Sequence, residues 1–112
     1  MNIMQLSSTY FVCGQISASD LEIIVAHGFR SVVNNRPDYE VAGQPEAEHL
    51  AVVAEDLGLQ YVYVPVISGK ITTTDVSDFE RACESLEGPV LLFCRTGARC
   101  TELWKMSAVS RA

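Results

Sequence analysis

One segment constrains the fold of this chain more than any other, because it joins an apolar run to a lone cysteine, a glycine turn and a helical pattern. The run Val90–Phe93 is apolar and short, which is typical of a buried strand. Gly97 permits a tight turn, and residues 100–110 predict a helix. The sequence therefore predicts that Cys94 lies where a strand ends and a helix begins.

The loop after this strand has the features of an anion-binding site. The backbone N–H groups of residues 95–99 can converge on one point, and the next helix adds unpaired donors and the positive end of its dipole. Such surroundings lower the pKa of a cysteine from about 8.5 to roughly 3.5 to 7.5, so we expect Cys94 to be a thiolate nucleophile. The planar guanidinium of Arg99 can hold two oxygens of an oxyanion. The predicted oxyanion-binding residues of this loop are Arg95, Thr96, Gly97, Ala98 and Arg99.

Strand and helix patterns alternate along the rest of the chain. Runs rich in strand-forming residues occupy positions 9–13, 29–34 and 61–65, and the strand before Cys94 is the fourth. The run at 9–13 is short and is predicted to lie near an edge of the sheet. Four such strands separated by helices indicate a parallel sheet.

The segments between these strands have the spacing and the end signals of helices. Ser19-Asp-Leu-Glu22 fits a capping box at the start of the first helix, and Pro45 opens a second that ends at Gly58. Apolar residues recur three and four apart in a third, which ends at Gly88. Right-handed crossovers place helices on both faces of a parallel sheet. The sequence predicts a single three-layer α/β domain, residues 1–112, with a central, mainly parallel sheet of four to five strands.

Length and charge exclude several classes of protein. A chain of 112 residues holds one ordinary core, and its net charge of -6 argues against a nucleic acid partner. No run of about 18 apolar residues is present, so no membrane partner is expected. Residues 1–10 lack the basic and apolar regions of a secretory signal, which makes the cytoplasm the expected location.

The cysteines and histidines do not form a metal-binding pattern. The four cysteines, at positions 13, 83, 94 and 100, lack paired metal spacing and are expected to be reduced. His27 and His49 have no second ligand at a suitable distance along the chain, so neither a metal nor another cofactor is expected. The expected partner is a small anionic or phosphorylated substrate, and a second copy of the chain could cover the last helix.

Several motifs together resemble a known family. They are Asn34-Asn-Arg-Pro-Asp38, Gln44-Pro45, Gly58-Leu-Gln-Tyr61 with Pro65-Val66, and Gly88-Pro-Val-Leu followed by Cys94-Arg-Thr-Gly-Ala-Arg99 and Leu103-Trp104. This set is similar to the phosphatase-like domain of the bacterial beta-lactamase-hydrolase-like proteins. The resemblance implies a fold like that of dual-specificity protein tyrosine phosphatases, with Cys94 as nucleophile and Arg99 as oxyanion clamp. Since the same family has been labelled a sulfurtransferase, the resemblance leaves two chemistries open.

The chain departs from the tyrosine phosphatase pattern at several positions. Phe93 stands where those enzymes have histidine, one residue fewer precedes Arg99, and Cys100 replaces the hydroxyl that would donate to the thiolate. Dual-specificity enzymes have an aspartic acid in the loop after the third strand, but residues 65–74 contain none. Asp38 or Asp75 would have to supply the proton instead.

Three hypotheses follow for the same loop. The first is phosphomonoester hydrolysis through a phosphocysteine on Cys94, with a carboxylic acid protonating the leaving oxygen. The second is sulfur transfer through a persulfide on Cys94, since six residues from cysteine to arginine equal the usual rhodanese loop. Cys100 and Cys13 could then act as resolving thiols. The third is a module that binds an oxyanion without turnover.

A second arginine belongs to the candidate site. Arg36 follows the second predicted strand, and ligands of α/β sheets bind at the carboxyl ends of strands. Its guanidinium could meet the oxyanion from the neighbouring strand end. It could equally pair with Asp38 or Glu40, and the sequence leaves both alternatives open.

Overall fold

A computed structural model describes all 112 residues and contains one five-stranded sheet. In chain order the strands are β1 (Met4–Gln5), β2 (Tyr10–Cys13), β3 (Ser31–Asn34), β4 (Gln60–Tyr63) and β5 (Val90–Phe93). Their spatial order is β1-β2-β5-β3-β4. Only β1 and β2 pair antiparallel, and the other three pairings are parallel. The predicted mainly parallel sheet is confirmed.

Helices cover both faces of this sheet. They are α1 (Ala18–Ala26), α2 (Ala47–Asp56), α3 (Thr73–Cys83) and α4 (Ala98–Met106), followed by a 3₁₀ helix at Ala108–Arg111. Leu21 of α1 and Leu50 of α2 belong to one buried cluster, while Phe79 of α3 and Leu103 of α4 belong to another. The two clusters lie on opposite faces because successive residues of β5 alternate between them. The predicted three-layer α/β architecture is confirmed, and no helix is both long and apolar enough to cross a bilayer.

Side-chain caps define the N-termini of α1 and α3, and the cap of α1 lies two residues earlier than predicted. The N-cap of α1 is Ser17, whose hydroxyl accepts the N–H of Asp20 while the carboxylate of Asp20 accepts the N–H of Ser17. The predicted box at 19–22 was therefore wrong by two residues, because an overlapping serine-to-acid pair begins earlier. Thr72 and Asp75 form the same reciprocal cap on α3.

The two ends of the chain also differ from expectation. The sequence predicts no strand at Met4–Gln5, since two exposed residues carry no alternating pattern, yet these residues pair with β2 and cover its outer edge. The last helix begins and ends earlier than predicted, and a separate 3₁₀ turn follows it. Neither difference changes the position of Cys94.

The central strand determines where a site can form. β5 lies between β2 and β3, and all four of its residues are buried. Because these three strands run parallel, their carboxyl ends lie side by side, at Cys13, Phe93 and Asn34. The loops that follow them meet at one edge of the sheet, where α/β folds bind ligands.

Candidate active site

Cys94 directly follows β5 and accepts a hydrogen bond from the loop that it begins. The N–H of Gly97 lies 3.1 Å from Sγ of Cys94. Gly97 has a φ of 95°, a left-handed conformation that turns the chain into α4. The loop therefore wraps around the sulfur, as the sequence predicts.

The surroundings of Cys94 favour its thiolate. The thiol of Cys100 and the backbone N–H groups of Cys100, Gly97 and Thr96 lower the pKa of Cys94 from 9.0 to about 5, against the opposing effect of burial. Hydrogen bonds to the charged form stabilise it more than burial destabilises it here. Cys94 is thus ionised at neutral pH.

Cys100 takes the position of the missing hydroxyl. It lies in the first turn of α4 and is fully buried. Burial and the neighbouring Cys94 raise the pKa of Cys100 well above its ordinary value, so Cys100 keeps its proton and can donate it in a hydrogen bond. Burial likewise raises the pKa of Cys13 to about 12. These pKa values disfavour both cysteines as resolving thiols, because thiol exchange requires a thiolate.

The guanidinium of Arg99 is held from one side. Its side chain is 8% exposed, and its Nη1 and Nη2 donate to the two carboxylate oxygens of Glu40 at 2.9 and 3.2 Å. Nη1 also donates to the carbonyl of Val66 at 3.0 Å. The Nε atom of Arg99 is buried and has no partner within the protein. An unpaired buried donor is costly, so this Nε–H is a candidate donor to a bound oxyanion.

Glu40 connects the two arginines of the site. Arg36 is 4% exposed, and its Nε donates to Oε1 of Glu40 at 2.9 Å. Its Nη1 donates to the side-chain oxygen of Gln15 at 3.0 Å. Hydrogen bonds from Arg99 and then from Arg36 lower the pKa of Glu40. Of the two alternatives for Arg36, the structure shows the pairing with Glu40, and it also places Arg36 beside the loop.

These groups line one pocket of about 440 Å³. Most of the predicted site residues line it, and Gly97, which does not, donates its N–H to the sulfur of Cys94. The lining comprises Arg36, Glu40, Val41, Ser68, Cys94, Arg95, Thr96, Ala98 and Arg99. The pocket is therefore rich in arginine and contains a single carboxylate.

The two predicted acid residues do not reach this pocket. Oδ1 of Asp38 accepts the N–H of Ala47 at 2.8 Å and so caps the start of α2. Oδ2 of Asp75 accepts the N–H of Thr72 at 2.9 Å in the cap of α3. Both carboxylates satisfy helix N-termini, and neither lines the pocket with Cys94. The prediction that one of them serves the site is corrected accordingly.

Sequence reasoning missed the central role of Glu40. The sequence suggests this residue only as a partner of Arg36, four positions earlier, and not of Arg99. Its position depends on Tyr39, which has a φ of 66° and is the one non-glycine residue with a left-handed backbone. No sequence pattern predicts such a conformation for a tyrosine.

No group of three His, Cys, Asp or Glu side chains is arranged to hold a metal ion.

Comparison with known families supports the assignment from motifs. The family model described as beta-lactamase hydrolase-like protein, phosphatase-like domain, matches residues 2–111. The chain belongs to this family. The phosphatase-like domain is 35% identical over 109 residues to the beta-lactamase hydrolase-like protein of Xylella fastidiosa (strain Temecula1), covering 97% of the domain and 25% of that protein. The corresponding protein of Agrobacterium fabrum is 32% identical over 104 residues, which are 93% of the domain and 24% of that protein. The domain thus spans about a quarter of the length of the curated relatives that it matches.

Solved structures give the same fold. A Neisseria meningitidis protein provisionally assigned as a phosphatase has a TM-score of 0.84 and 33% identity, over 93% of this domain and 74% of that chain. Pseudomonas aeruginosa TpbA in complex with phosphotyrosine has a TM-score of 0.69 and 16% identity, over 96% of this domain and 62% of that chain. The second likeness concerns the fold alone. The predicted tyrosine-phosphatase-like fold is confirmed, and the family supports a phosphatase-like function.

Proposed function

We propose that this domain hydrolyses phosphomonoesters through a phosphocysteine on Cys94. The observation that carries the proposal is the Cys94 thiolate, with a pKa of about 5, in a loop whose Gly97 N–H lies 3.1 Å from the sulfur. The guanidinium of Arg99 lines the same pocket. A nucleophile and donors to an oxyanion are thus present together.

The first step is attack of the Cys94 thiolate on phosphorus. A P–S bond forms as the P–O bond to the leaving group breaks, and the electron pair stays with the leaving oxygen. The loop N–H groups and Nε of Arg99 hold the phosphoryl oxygens, while Glu40 fixes the guanidinium through its other nitrogens. Glu40 is here a positioning residue, since it acts through Arg99.

The second step is hydrolysis of the phosphocysteine. Water attacks phosphorus, so that a P–O bond forms as the P–S bond breaks. Phosphate leaves with the two protons of that water, and the electron pair of the P–S bond restores the Cys94 thiolate. Because Glu40 is the single carboxylate of the pocket and its pKa is lowered, it is ionised and cannot protonate a leaving group at neutral pH. The reaction therefore depends strongly on the acidity of the leaving group and favours aryl over alkyl esters.

Phosphate release from a series of aryl phosphates tests this proposal. Wild type is expected to release phosphate, fastest from the aryl ester with the most acidic phenol, and to accumulate a phosphocysteine that mass spectrometry detects. Cys94→Ser should lose roughly 10³-fold or more of the activity. Cys83→Ala is the matched control, because Cys83 is a buried cysteine of α3 outside the pocket. The proposal fails if wild type releases no phosphate, or if Cys94→Ser equals wild type.

Sulfur transfer is the second candidate, and it is favoured because the one carboxyl group of the pocket, Glu40, is ionised and cannot act as a proton donor. The Cys94 thiolate would attack the outer sulfur of thiosulfate, so that an S–S bond forms, the old S–S bond breaks and sulfite leaves. Cyanide would then take that sulfur as thiocyanate and restore the thiolate. Neither step requires a proton donor such as Asp38 or Asp75.

Thiocyanate formation, measured beside the phosphatase assay, separates the two chemistries. A Cys94 persulfide would add the mass of one sulfur atom to the protein. Neither thiocyanate nor this mass gain is expected if the domain acts only on phosphate esters. If wild type and Cys94→Ser bind oxyanions equally and neither turns them over, the domain is a binding module.

A further inference from the structure

Gln15 contacts two separate parts of the candidate site, although it does not line the pocket. It lies in the loop after β2 and is half-buried. Its backbone N–H donates to the carbonyl of Arg95 at 3.2 Å, and its side-chain Oε1 accepts a hydrogen bond from Nη1 of Arg36 at 3.0 Å. One residue is thus joined through its backbone to the loop after Cys94 and through its side chain to a buried arginine.

The side-chain amide of Gln15 has a defined orientation, because both of its polar atoms have partners. Nε2 donates to the carbonyl of Ile16 at 2.9 Å, so Oε1 is the atom that faces Arg36. Arg36 is almost fully buried, and a buried guanidinium that loses an acceptor is left with an unpaired charged donor. The amide of Gln15 therefore fixes the position of the Arg36 guanidinium.

The contacts of Arg36 continue to Arg99 through one carboxylate. Nε of Arg36 and Nη2 of Arg99 donate to the same oxygen of Glu40, at 2.9 and 3.2 Å. Nη1 of Arg99 donates to the other oxygen of Glu40 at 2.9 Å. A displacement of Arg36 would disturb the oxygen on which both guanidiniums converge. The hydrogen-bonded chain runs through Arg95, Gln15, Arg36, Glu40 and Arg99, and so joins both ends of the loop after Cys94.

We propose that Gln15 is a positioning residue of the oxyanion site, which acts on Arg99 through Arg36 and Glu40. This inference rests on the proposed function, in which Nε of Arg99 holds a phosphoryl oxygen. Glu40 takes the two Nη atoms of Arg99, and this contact sets the direction in which Nε points. An error of about 1 Å in the position of a binding group can cost roughly 10²-fold in rate, so the groups that fix Arg99 affect how well it binds.

The Gln15→Met variant tests this role, since methionine has a similar length but lacks the oxygen that accepts from Arg36. The backbone N–H that donates to Arg95 is retained. The Kd of inorganic phosphate, measured by titration of amide NMR signals, should rise roughly tenfold relative to wild type. Gln5→Met is the matched control, because Gln5 is exposed and its Nε2 donates to the carbonyl of Ser7. This control should bind phosphate as wild type does.

The pH dependence of Cys94 alkylation separates positioning of Arg99 from a general loosening of the loop. The groups that lower the pKa of Cys94 belong to Cys100, Gly97 and Thr96, and none of them is hydrogen-bonded to the side chain of Gln15. The Gln15→Met variant should therefore keep the wild-type alkylation profile while it loses affinity for phosphate.

Double variants identify the route by which Gln15 acts. In an Arg36→Met background, Gln15→Met should not weaken phosphate binding further, because the side chain through which it acts is gone. Glu40→Gln provides a second background, in which an amide of the same shape replaces the carboxylate that the two arginines share. The effect of Gln15→Met should be smaller there than in wild type. Wild-type affinity in Gln15→Met, an undiminished effect in both backgrounds, or a shifted alkylation profile would each overturn the inference.

Hydrolysis of aryl phosphates separates this inference from the proposed function. In Gln15→Met, kcat/KM should fall by the same roughly tenfold for good and poor leaving groups, because Arg99 holds phosphoryl oxygens and not the leaving group. Hydrolysis by wild type with unchanged phosphate affinity in Gln15→Met overturns the inference and leaves the proposed function intact. Weaker phosphate binding by Gln15→Met without hydrolysis by wild type supports the inference and contradicts the proposed function.

Discussion

Two buried cysteines at adjacent strand ends have opposite acid–base properties. Cys13 is the last residue of β2, and Cys94 follows β5, whose Phe93 pairs in register with Cys13. Their exposed fractions are 2% and 1%, yet the pKa of Cys13 is raised to about 12 and that of Cys94 is lowered to about 5. Burial alone therefore does not decide whether a cysteine ionises.

The difference lies in the groups that face each sulfur. Burial and the negative charges of Asp20 and Cys94 oppose ionisation of Cys13. At Cys94, the thiol of Cys100 and the loop N–H groups stabilise the thiolate. The loop after β5 provides hydrogen-bond donors to the sulfur. The sulfur of Cys13 at the end of β2 instead lies in an apolar cluster near negatively charged groups, which oppose a second negative charge.

The β2 loop nevertheless supports the β5 loop. A Cβ added at Gly97 would lie 3.3 Å from the carbonyl oxygen of Cys13, and one added at Gly14 would lie 2.9 Å from that of Arg95. The N–H of Gln15 also donates to the carbonyl of Arg95. The two loops pack backbone to backbone, so the loop after β2 helps to fix the conformation of the loop after β5.

Alkylation should give the largest contrast between the two cysteines. At pH 7 in the folded protein, iodoacetamide should modify Cys94 at least roughly 100-fold faster than Cys13, because only Cys94 is a thiolate. Peptide mass spectrometry after timed quenching measures both sites. The rate at Cys94 should reach half its maximum near its pKa of about 5. A half-maximum near pH 9, or equal rates at the two sites, would contradict the comparison.

The pH dependence of stability should follow from the same contrast. Because the pKa of Cys94 falls from 9.0 to about 5 on folding, its ionisation stabilises the fold at high pH, and this stabilisation is lost as pH falls through 5. As the pH rises from 5 to 7, the free energy of unfolding of wild type should increase by roughly 2 kcal/mol relative to that of Cys94→Ser.

Urea unfolding of both proteins under reducing conditions measures this difference. The pKa of Cys13 is shifted in the opposite direction on folding. Its contribution to the free energy of unfolding should therefore be lost only as the solution becomes alkaline. An identical pH dependence for wild type and Cys94→Ser would show that the thiolate is not stabilised by folding.

Removal of the Cys100 thiol should raise the pKa of Cys94 toward that of Cys13. A hydrogen bond to a charged group contributes roughly 1.5 to 3 kcal/mol, so Cys100→Ala should raise the pKa of Cys94 and reduce alkylation at pH 5 by roughly tenfold. Cys100→Ser restores a donor and should restore the low pKa. If Cys94 of the Cys100→Ala variant is alkylated with the wild-type pH profile, the backbone N–H groups alone account for its low pKa.

The contact between the two loops should have the smallest effect. Gly97→Ala and Gly28→Ala both place alanine at a left-handed φ, 95° and 93°, which costs roughly 1 kcal/mol each. Only at Gly97 does the new Cβ meet another loop, at Cys13, whereas nothing lies within 4 Å at Gly28. Gly97→Ala should therefore lose more stability than Gly28→Ala and should also raise the alkylation pKa of Cys94. Equal losses with an unchanged pKa would show that the loops do not depend on each other.

Local patterns predicted most of the fold. Short runs rich in strand-forming residues predicted four of the five strands, and helical spacing with end signals predicted all four helices, because each pattern depends on neighbours in sequence. Strand β1 escaped prediction, since two exposed residues are held there by pairing with β2 rather than by their own propensity. The cap of α1 was misplaced because two overlapping motifs satisfy the same rule, and packing selects between them.

The candidate site was predicted in part for the same reason. Cys94, the turn at Gly97 and Arg99 lie within six residues of chain, so their relation is local. Its position after a strand predicts Arg36 near the site but leaves the partner of its guanidinium open. Position in the chain also predicts Asp38 as an acid of the site, but its carboxylate accepts the N–H of Ala47 at the start of α2 and does not line the pocket.

The sequence by itself determined the family and predicted the loop that follows Cys94, because a strand, a glycine turn and a helix start are encoded in consecutive residues. Only the tertiary structure decided that Glu40 joins Arg36 to Arg99 and that Cys100 lies where its thiol lowers the pKa of Cys94. The first contact joins residues 59 positions apart, and the second depends on which face of α4 is buried. Such contacts are selected by packing and by charge in three dimensions, which a pattern along the chain does not record.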